Sequence, residues 1–357
     1  MRQAGEPHRI DAVPQDFAFI QTARGRVFVG WGPFEQLPFR RPDRPAFFVT
    51  DFFLDEARPW RHPDTWQEMT LEEFAERFGN DSRPEISWDE VDCDAFAALF
   101  RSAQEGISRG DFQKIVPIIF ESGRVDDDLW PYIITRLSML PRGLYAYGCS
   151  IDGRSVAGAA PEVLFQTHGL GYSTMALAGT RTISHWPELL RDPKELREHR
   201  FVVEDIVRRL APFGNLEIGA LGILQLPRIA HLITPIFFRE MGNDRMSFAE
   251  MVRRLHPTAA LGVSPRTEAG ERWLRENDRG VQRLSFGAPF GLEREGRYAL
   301  ALVGIRNIEW SGRSMRLGSG AGVIAESRLD LEFEELRQKR EQVKSLFGVG
   351  AAVEAWT

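Results

Sequence analysis

Cysteine is scarce in this 357-residue chain, with only Cys93 and Cys149 present. Two thiols are too few for a disulfide framework or a thiolate metal site. They read as structural thiols in a reducing compartment. Lysine is scarcer than the charge suggests: of 45 basic residues only Lys114, Lys194, Lys339 and Lys344 are not arginine. Each surviving lysine therefore draws notice, because lysine can lose its proton near neutral pH and arginine cannot. No apolar run approaches the roughly 18 residues that a membrane helix needs. The opening MRQAGEPHRIDAVPQDF has no apolar stretch of the signal-peptide kind, so a cytoplasmic location and no membrane contact are expected. A net charge of -6 gives no electrostatic case for nucleic acid. Repeats, low-complexity tracts and a GxGxxG fingerprint in a strand-to-helix unit are all missing. What remains, 43% hydrophobic and 27% charged, is the composition of an ordinary globular protein.

The pattern along the chain mixes strands and helices. Strands are expected at Arg26–Trp31, Pro45–Leu54, Lys114–Phe120, Leu144–Phe165, Tyr172–Leu177, Leu216–Phe238 and through the Gly-rich Ser285–Ile324. The polar, Pro- and Trp-containing stretch up to residue 90 reads as irregular or helical surface. Helical spacing predicts helices over Asp94–Gly106, Asp127–Leu140, Pro187–Leu210, Ser247–Leu255 and Asp330–Phe347. No regular βαβ rhythm is present, so the class is α+β.

Two acidic stripes are the sharpest chemical feature. Glu195 and Glu198 stand three apart in PKELREH, and Glu332 and Glu335 stand three apart in LEFEELRQK. Such residues share a helix face. Each face runs on into apolar residues, Val202 and Ile206 in one helix, Val343 and Leu346 in the other. Partly buried carboxylates call for a cation, and four oxygens from two facing helices would suit Mg²⁺. The competing reading is a pair of solvated faces with i,i+4 ion pairs such as Glu335 with Lys339. Lys114, beside the apolar KIVPIIF, either snorkels from a strand edge or is a desolvated general base. Glu162 in GAAPE is either a surface turn acid or a general acid with a raised pKa. Gly179-Thr180-Arg181 and Gly318-Ser319-Gly320-Ala321-Gly322 could bring backbone donors close to an anion or serve strand packing. His231 and Arg306 taken singly read as core residues.

Taken in order, QKIVPI, AAPEVLF, ALAGTR, DPKELREHRFVVEDI, AHLITP, LHPTAALGVSPR, GIRNIEW and GSGAGVIAES with EFEELRQK resemble the chorismate-binding family. Its members include anthranilate, aminodeoxychorismate, isochorismate and salicylate synthases. The resemblance runs from about residue 95 to residue 347. It implies an anthranilate synthase component I-like α+β fold, with antiparallel sheets packed together and helices outside. Residues 1–93 would be the variable N-terminal part of the same unit and 94–350 the chorismate-binding region, one compact domain overall.

The resemblance also implies roles. Glu198 and Glu335 correspond to principal Mg²⁺ ligands, with Glu195 and Glu332 in support. Arg306, Gly320 and Lys339 would hold carboxylates of chorismate, and Gly179 and Thr180 would lie near the ring. His231 would stand beside the reacting ring, Glu162 would protonate the departing C4 hydroxyl, and Lys114 would be the base for water. That position is typically glutamine in ammonia-using members and lysine in water-using ones, which points to isochorismate synthase, with salicylate synthase as the alternative. An aminating synthase and a chorismate-binding protein without turnover are the remaining alternatives. Neither a glutamine amidotransferase subunit nor a nucleic-acid partner is expected, and a monomer is. Phe286 in SFGAPFG replaces the tyrosine of many relatives, in a position that faces substrate. The end of VPIIFE and the ALGVSPR loop also depart from the family pattern.

Overall fold

The computed structural model describes residues 13–241, 246–294 and 298–350. Of the N-terminal segment read for targeting, residues 1–12 therefore lie outside the described residues. Two large antiparallel sheets dominate. The first runs, edge to edge, through Thr65–Thr70, Arg26–Trp31, Phe17–Ala23, Tyr145–Ile151, Arg154–Ala160, Asn307–Ser311, Ser314–Gly320, Ile118–Val125 and Ile86–Trp88. The second runs through Gly214–Ile218, Ile229–Glu240, Gly171–Thr182, Val163–His168, Tyr298–Val303, Pro289–Arg294, Ala46–Val49, Trp60–His62 and Glu35–Leu37, with Gly222–Gln225 also paired to Ile229–Glu240.

The strand Phe17–Ala23 shows why both faces are covered. Successive side chains of a strand point to opposite sides. Phe17 and Phe19 enter the core under the helices, whereas Ala18 and Ile20 enter the core between the sheets. Phe47, Phe290, Leu300 and Leu302 of the second sheet meet Ala18, Ile20 and Tyr147 of the first in that inner layer. Strands from the first 93 residues thus supply interior positions in both sheets.

Helices lie on the outer faces. α1 (Leu71–Phe78), α3 (Trp130–Ser138) and α7 (Leu329–Phe347) cover the first sheet, and α4 (Pro193–Leu210) and α5 (Phe248–Leu255) cover the second. α2 (Cys93–Arg109) and α6 (Glu268–Val281) pack with α7 around the short pair Lys114–Ile115 and Val263–Ser264. No helix among the described residues is long and apolar enough to cross a membrane.

Several sequence expectations need correction. The strand expected through Leu54 stops at Val49, because Asp51 accepts from the amides of Phe53 and Asp55 and turns the chain. The stretch before residue 90 holds the strands Trp60–His62, Thr65–Thr70 and Ile86–Trp88 as well as α1, whose Thr70–Glu73 capping box fixes its start. α6 gave no readable stripe: only Gly270, Trp273 and Leu274 are buried along a heavily charged helix. Lys114–Phe120 is two strands, because Pro117 has no amide to donate. Lys114–Ile115 pairs with Val263–Ser264, and the chain joins the first sheet only from Ile118. The break withdraws Lys114 from the large sheet and leaves it at the meeting point of α4 and the loop after α5.

Candidate active site

The site is set by the starts of α4 and α7. Asp192 caps α4, accepting from the amides of Lys194 at 2.9 Å and Glu195 at 3.2 Å, with Pro193 in the first turn. Asp192 also pairs with Arg181. This cap ends the short helix Ile183–Arg191, so the single helix expected from Pro187 is two. It places Glu195 and Glu198 on the buried face of α4, as the stripe required. The backbone amide of Thr180 donates to Glu195 Oε2 at 2.8 Å. Gly179, at φ +79°, makes the approach possible: a Cβ there would stand 3.1 Å from the carbonyl of Glu195.

The two acidic stripes converge. The ammonium of Lys194 lies 3.2 Å from Glu195 Oε1, 3.3 Å from Glu198 Oε2 and 3.1 Å from Glu332 Oε1. The three carboxylate side chains are 5%, 9% and 2% exposed. Glu335 pairs instead with Lys339 at 2.6 Å, the i,i+4 pair of the competing reading. Burial, reinforced by like-charged neighbours, pushes the Glu195 and Glu332 carboxyls up. Burial also disfavours the Glu198 carboxylate, but the Lys114 and Lys194 ammoniums outweigh it and hold Glu198 down. Oε2 of Glu332 is buried without a hydrogen-bond partner. Buried oxygens gathered round a cation are the donor set that a hard divalent ion takes, so these residues fit Mg²⁺ in kind. Spread round the ammonium as they are, no three acidic, His or Cys groups among the described residues are spaced to grip an ion.

Lys114 does not snorkel. It is fully buried, donates to the carbonyl of Ala259 at 2.7 Å and lies 3.3 Å from Glu198 Oε1. Burial lowers its pKa, with Glu198 opposing. Glu162 is no surface acid: it is 2% exposed, faces Thr258 Oγ1 at 3.5 Å, and burial pushes it up to about 7 against the pull of Lys114.

His231 and Arg306 form one unit. Arg306 donates to His231 Nε2 at 3.2 Å and to Gln342 Oε1 at 3.0 Å. Guanidinium is a donor only, so Nε2 accepts and the proton sits on Nδ1, within 3.0 Å of Thr180 Oγ1. Burial, aided by the Arg306 charge, keeps His231 neutral. Arg306 itself is held at φ +54°, a conformation unusual for a large side chain.

Glu162, Gly179, Thr180, Glu198, His231, Phe286, Arg306, Gly320 and Lys339 all line one inner cavity of about 50 Å³. Lys114 stands just behind that lining, against Glu198. Lys339 donates across it to the carbonyl of Gly320 at 2.7 Å. Glu195, Glu332 and Glu335 line a second, outer cavity of about 520 Å³, which shares Thr180 with the inner one. All thirteen residues singled out in the sequence therefore fall in one region.

Sequence reasoning missed four others. Lys194 was visible only as a rare lysine. His199, next to Glu198 in PKELREH, bridges the carbonyl of Ala178 and the hydroxyl of Thr234 from a buried position. Thr258 lies within LHPTAALG. Gln342, the partner of Arg306, carries no local signal.

A family model described as chorismate binding enzyme matches residues 47–348. A salicylate biosynthesis isochorismate synthase of Pseudomonas aeruginosa is 30% identical over 268 residues, covering 71% of this chain and 55% of that protein. The chain thus spans about half the length of this curated relative. The fold matches that of a 2,3-dihydroxybenzoate-specific isochorismate synthase of Bacillus anthracis, with a TM-score of 0.79, 22% identity, and coverage of 95% of this chain and 98% of that one. It also matches anthranilate synthase component I of Streptococcus pneumoniae, with a TM-score of 0.69, 14% identity, and coverage of 97% and 95%. With most of its length matched by the family model and its site residues gathered as the motifs require, the chain belongs to the chorismate-binding enzyme family.

Proposed function

We propose that this protein is an isochorismate synthase that converts chorismate to isochorismate with Mg²⁺. One observation carries the reading: two buried ionisable groups, Glu162 in the lining of the inner cavity and Lys114 just behind it against Glu198, are shifted in opposite directions, Lys114 down and Glu162 up. Shifts in these directions suit Lys114 to take a proton and Glu162 to give one.

In the reaction, the neutral form of Lys114, which burial favours, takes a proton from water as the water oxygen bonds to C2 of the ring. The ring double bonds shift towards C4, and the C4 hydroxyl leaves as water with the proton of Glu162. Lys114 ends protonated and Glu162 ionised, so one proton must pass back between them before the next turnover. Arg306 and Lys339 supply positive charge to the substrate carboxylates, and neutral His231 stays in place beside the ring through its bonds to Arg306 and Thr180. Glu195, Glu198, Glu332 and Glu335 would hold the Mg²⁺, which supplies charge neutralisation and orientation of a substrate carboxylate when bound.

Incubation with chorismate and Mg²⁺, without an ammonia source, tests the reading. Isochorismate as the product supports it. Salicylate with pyruvate would make the protein a salicylate synthase, and no turnover in the presence or absence of ammonium would refute catalysis.

A further inference from the structure

Lys194 occupies the place where a divalent ion would be expected. Its ammonium is a compact charge; it donates to Glu198 and lies 3.1–3.3 Å from three carboxylates of α4 and α7. Those same oxygens cannot close on Mg²⁺ at roughly 2.0–2.1 Å while an ammonium holds them apart. Two positive centres within a few ångströms would also repel strongly at a site this buried.

The side chain has a way out. Lys194 borders the 520 Å³ outer cavity, and its side chain is 21% exposed, more than any of the carboxylates it touches. Glu188 and Glu326 line the same cavity. A four-carbon stem that swings outward would leave the carboxylates for the metal and carry its charge towards those acids.

We infer that Lys194 is a tethered, exchangeable counterion: it neutralises and closes the carboxylate cage in the metal-free protein, and Mg²⁺ binds by displacing it. The inference rests on the reading of Glu195, Glu198, Glu332 and Glu335 as the metal site. Its consequence is a metal affinity deliberately below what four buried carboxylates would give, with a cage that keeps its shape when the metal leaves.

Two measurements test this, neither needing turnover. Mg²⁺ alone is titrated calorimetrically into the wild-type protein and into Lys194→Gln. The variant is expected to bind at least about tenfold more tightly, to melt at a lower temperature without metal, and to gain more from added Mg²⁺. Affinity that is unchanged or weaker in the variant overturns the inference. Absence of binding in both proteins overturns the metal assignment as well, and so separates the two failures.

The second measurement uses the wild-type chain and does not depend on the variant folding. With only four lysines, amine acylation can be mapped residue by residue. Mg²⁺ is expected to raise labelling at Lys194 several-fold while Lys344, paired with Glu121 away from the cage, stays constant. Labelling of Lys194 that is unmoved or reduced by Mg²⁺ overturns the inference.

Discussion

Gly322 stands against Glu198 so closely that a methyl group on its α-carbon would lie 2.8 Å from Glu198 Cδ, and equally 2.8 Å from Lys114 Cε. The glycine is thus the wall against which the Lys114 amine stem and the Glu198 carboxylate are both set. Gly322→Ala is expected to push the Glu198 carboxylate away from Lys114. Because the nearest groups are the ends of long side chains, the loss falls on function: activity down by about 100-fold, roughly the ΔΔG of one broken buried ion contact, with a shift of only a few degrees in melting temperature. Retention of near wild-type activity would show that the spacing of Glu198 and Lys114 is unimportant.

Lys114→Gln removes the proposed base and keeps a polar side chain. Water addition is expected to fall by about 10²–10⁴-fold, the usual contribution of a general base, while chorismate affinity measured by calorimetry stays within a few-fold. Undiminished hydration would remove Lys114 from the mechanism.

Glu162 links activity to pH. Burial raises its pKa from 4.5 to about 7, so the folded protein binds the proton more tightly than the unfolded chain does. That contribution to stability is full below about pH 4.5 and is lost as pH rises through about 7, an effect of about 3 kcal/mol at most. The acid must be protonated to act, so kcat/KM is expected to decline above about pH 7. Glu162→Gln should lose most activity, and denaturant melts should show it free of the wild type's stability loss across that window. Parallel stability profiles for the two proteins would contradict the raised pKa.

Phe286 faces the inner cavity, with Phe120 packed edge-on at 5.8 Å and Gly318 beneath it: a Cβ on that glycine would lie 2.8 Å from Phe286 Cγ. Phe286→Tyr adds a hydroxyl without moving the ring. If that hydroxyl meets a substrate carboxylate, KM should fall by about two- to tenfold with kcat little changed, the worth of one hydrogen bond. Steady-state kinetics that show no change in KM would mean the ring edge does not reach the carboxylate.

The parts of this site visible in the sequence were those carried by helical spacing and ordered motifs. Glu195 and Glu198 could be placed on a buried face because Val202 and Ile206 continue it, and Glu332 with Glu335 likewise through Val343. Local sequence could not separate a snorkelling Lys114 from a buried one. The answer depends on Pro117 breaking the strand and on the loop carbonyl of Ala259, 145 residues away in sequence. Glu335 makes the i,i+4 pair with Lys339 that the competing reading of the stripes foresaw, while the other three carboxylates gather round Lys194, an arrangement that spacing alone does not show. α6 stayed hidden because its few anchors, Gly270, Trp273 and Leu274, are set in charge. Gln342 was invisible because only the tertiary fold brings it to Arg306.

The N-terminal strands have a consequence for how this protein comes into being. Phe17 is the register partner of Ser150 in the first sheet, and Val49 that of Phe290 in the second. Neither sheet can close until segments far along the chain have left the ribosome. Loop closure over such separations makes assembly slow. The aromatic strands Phe17–Ala23 and Ala46–Val49 pair locally on one edge but must wait with the other edge open, which makes them the part of a nascent chain most in need of a chaperone's shelter.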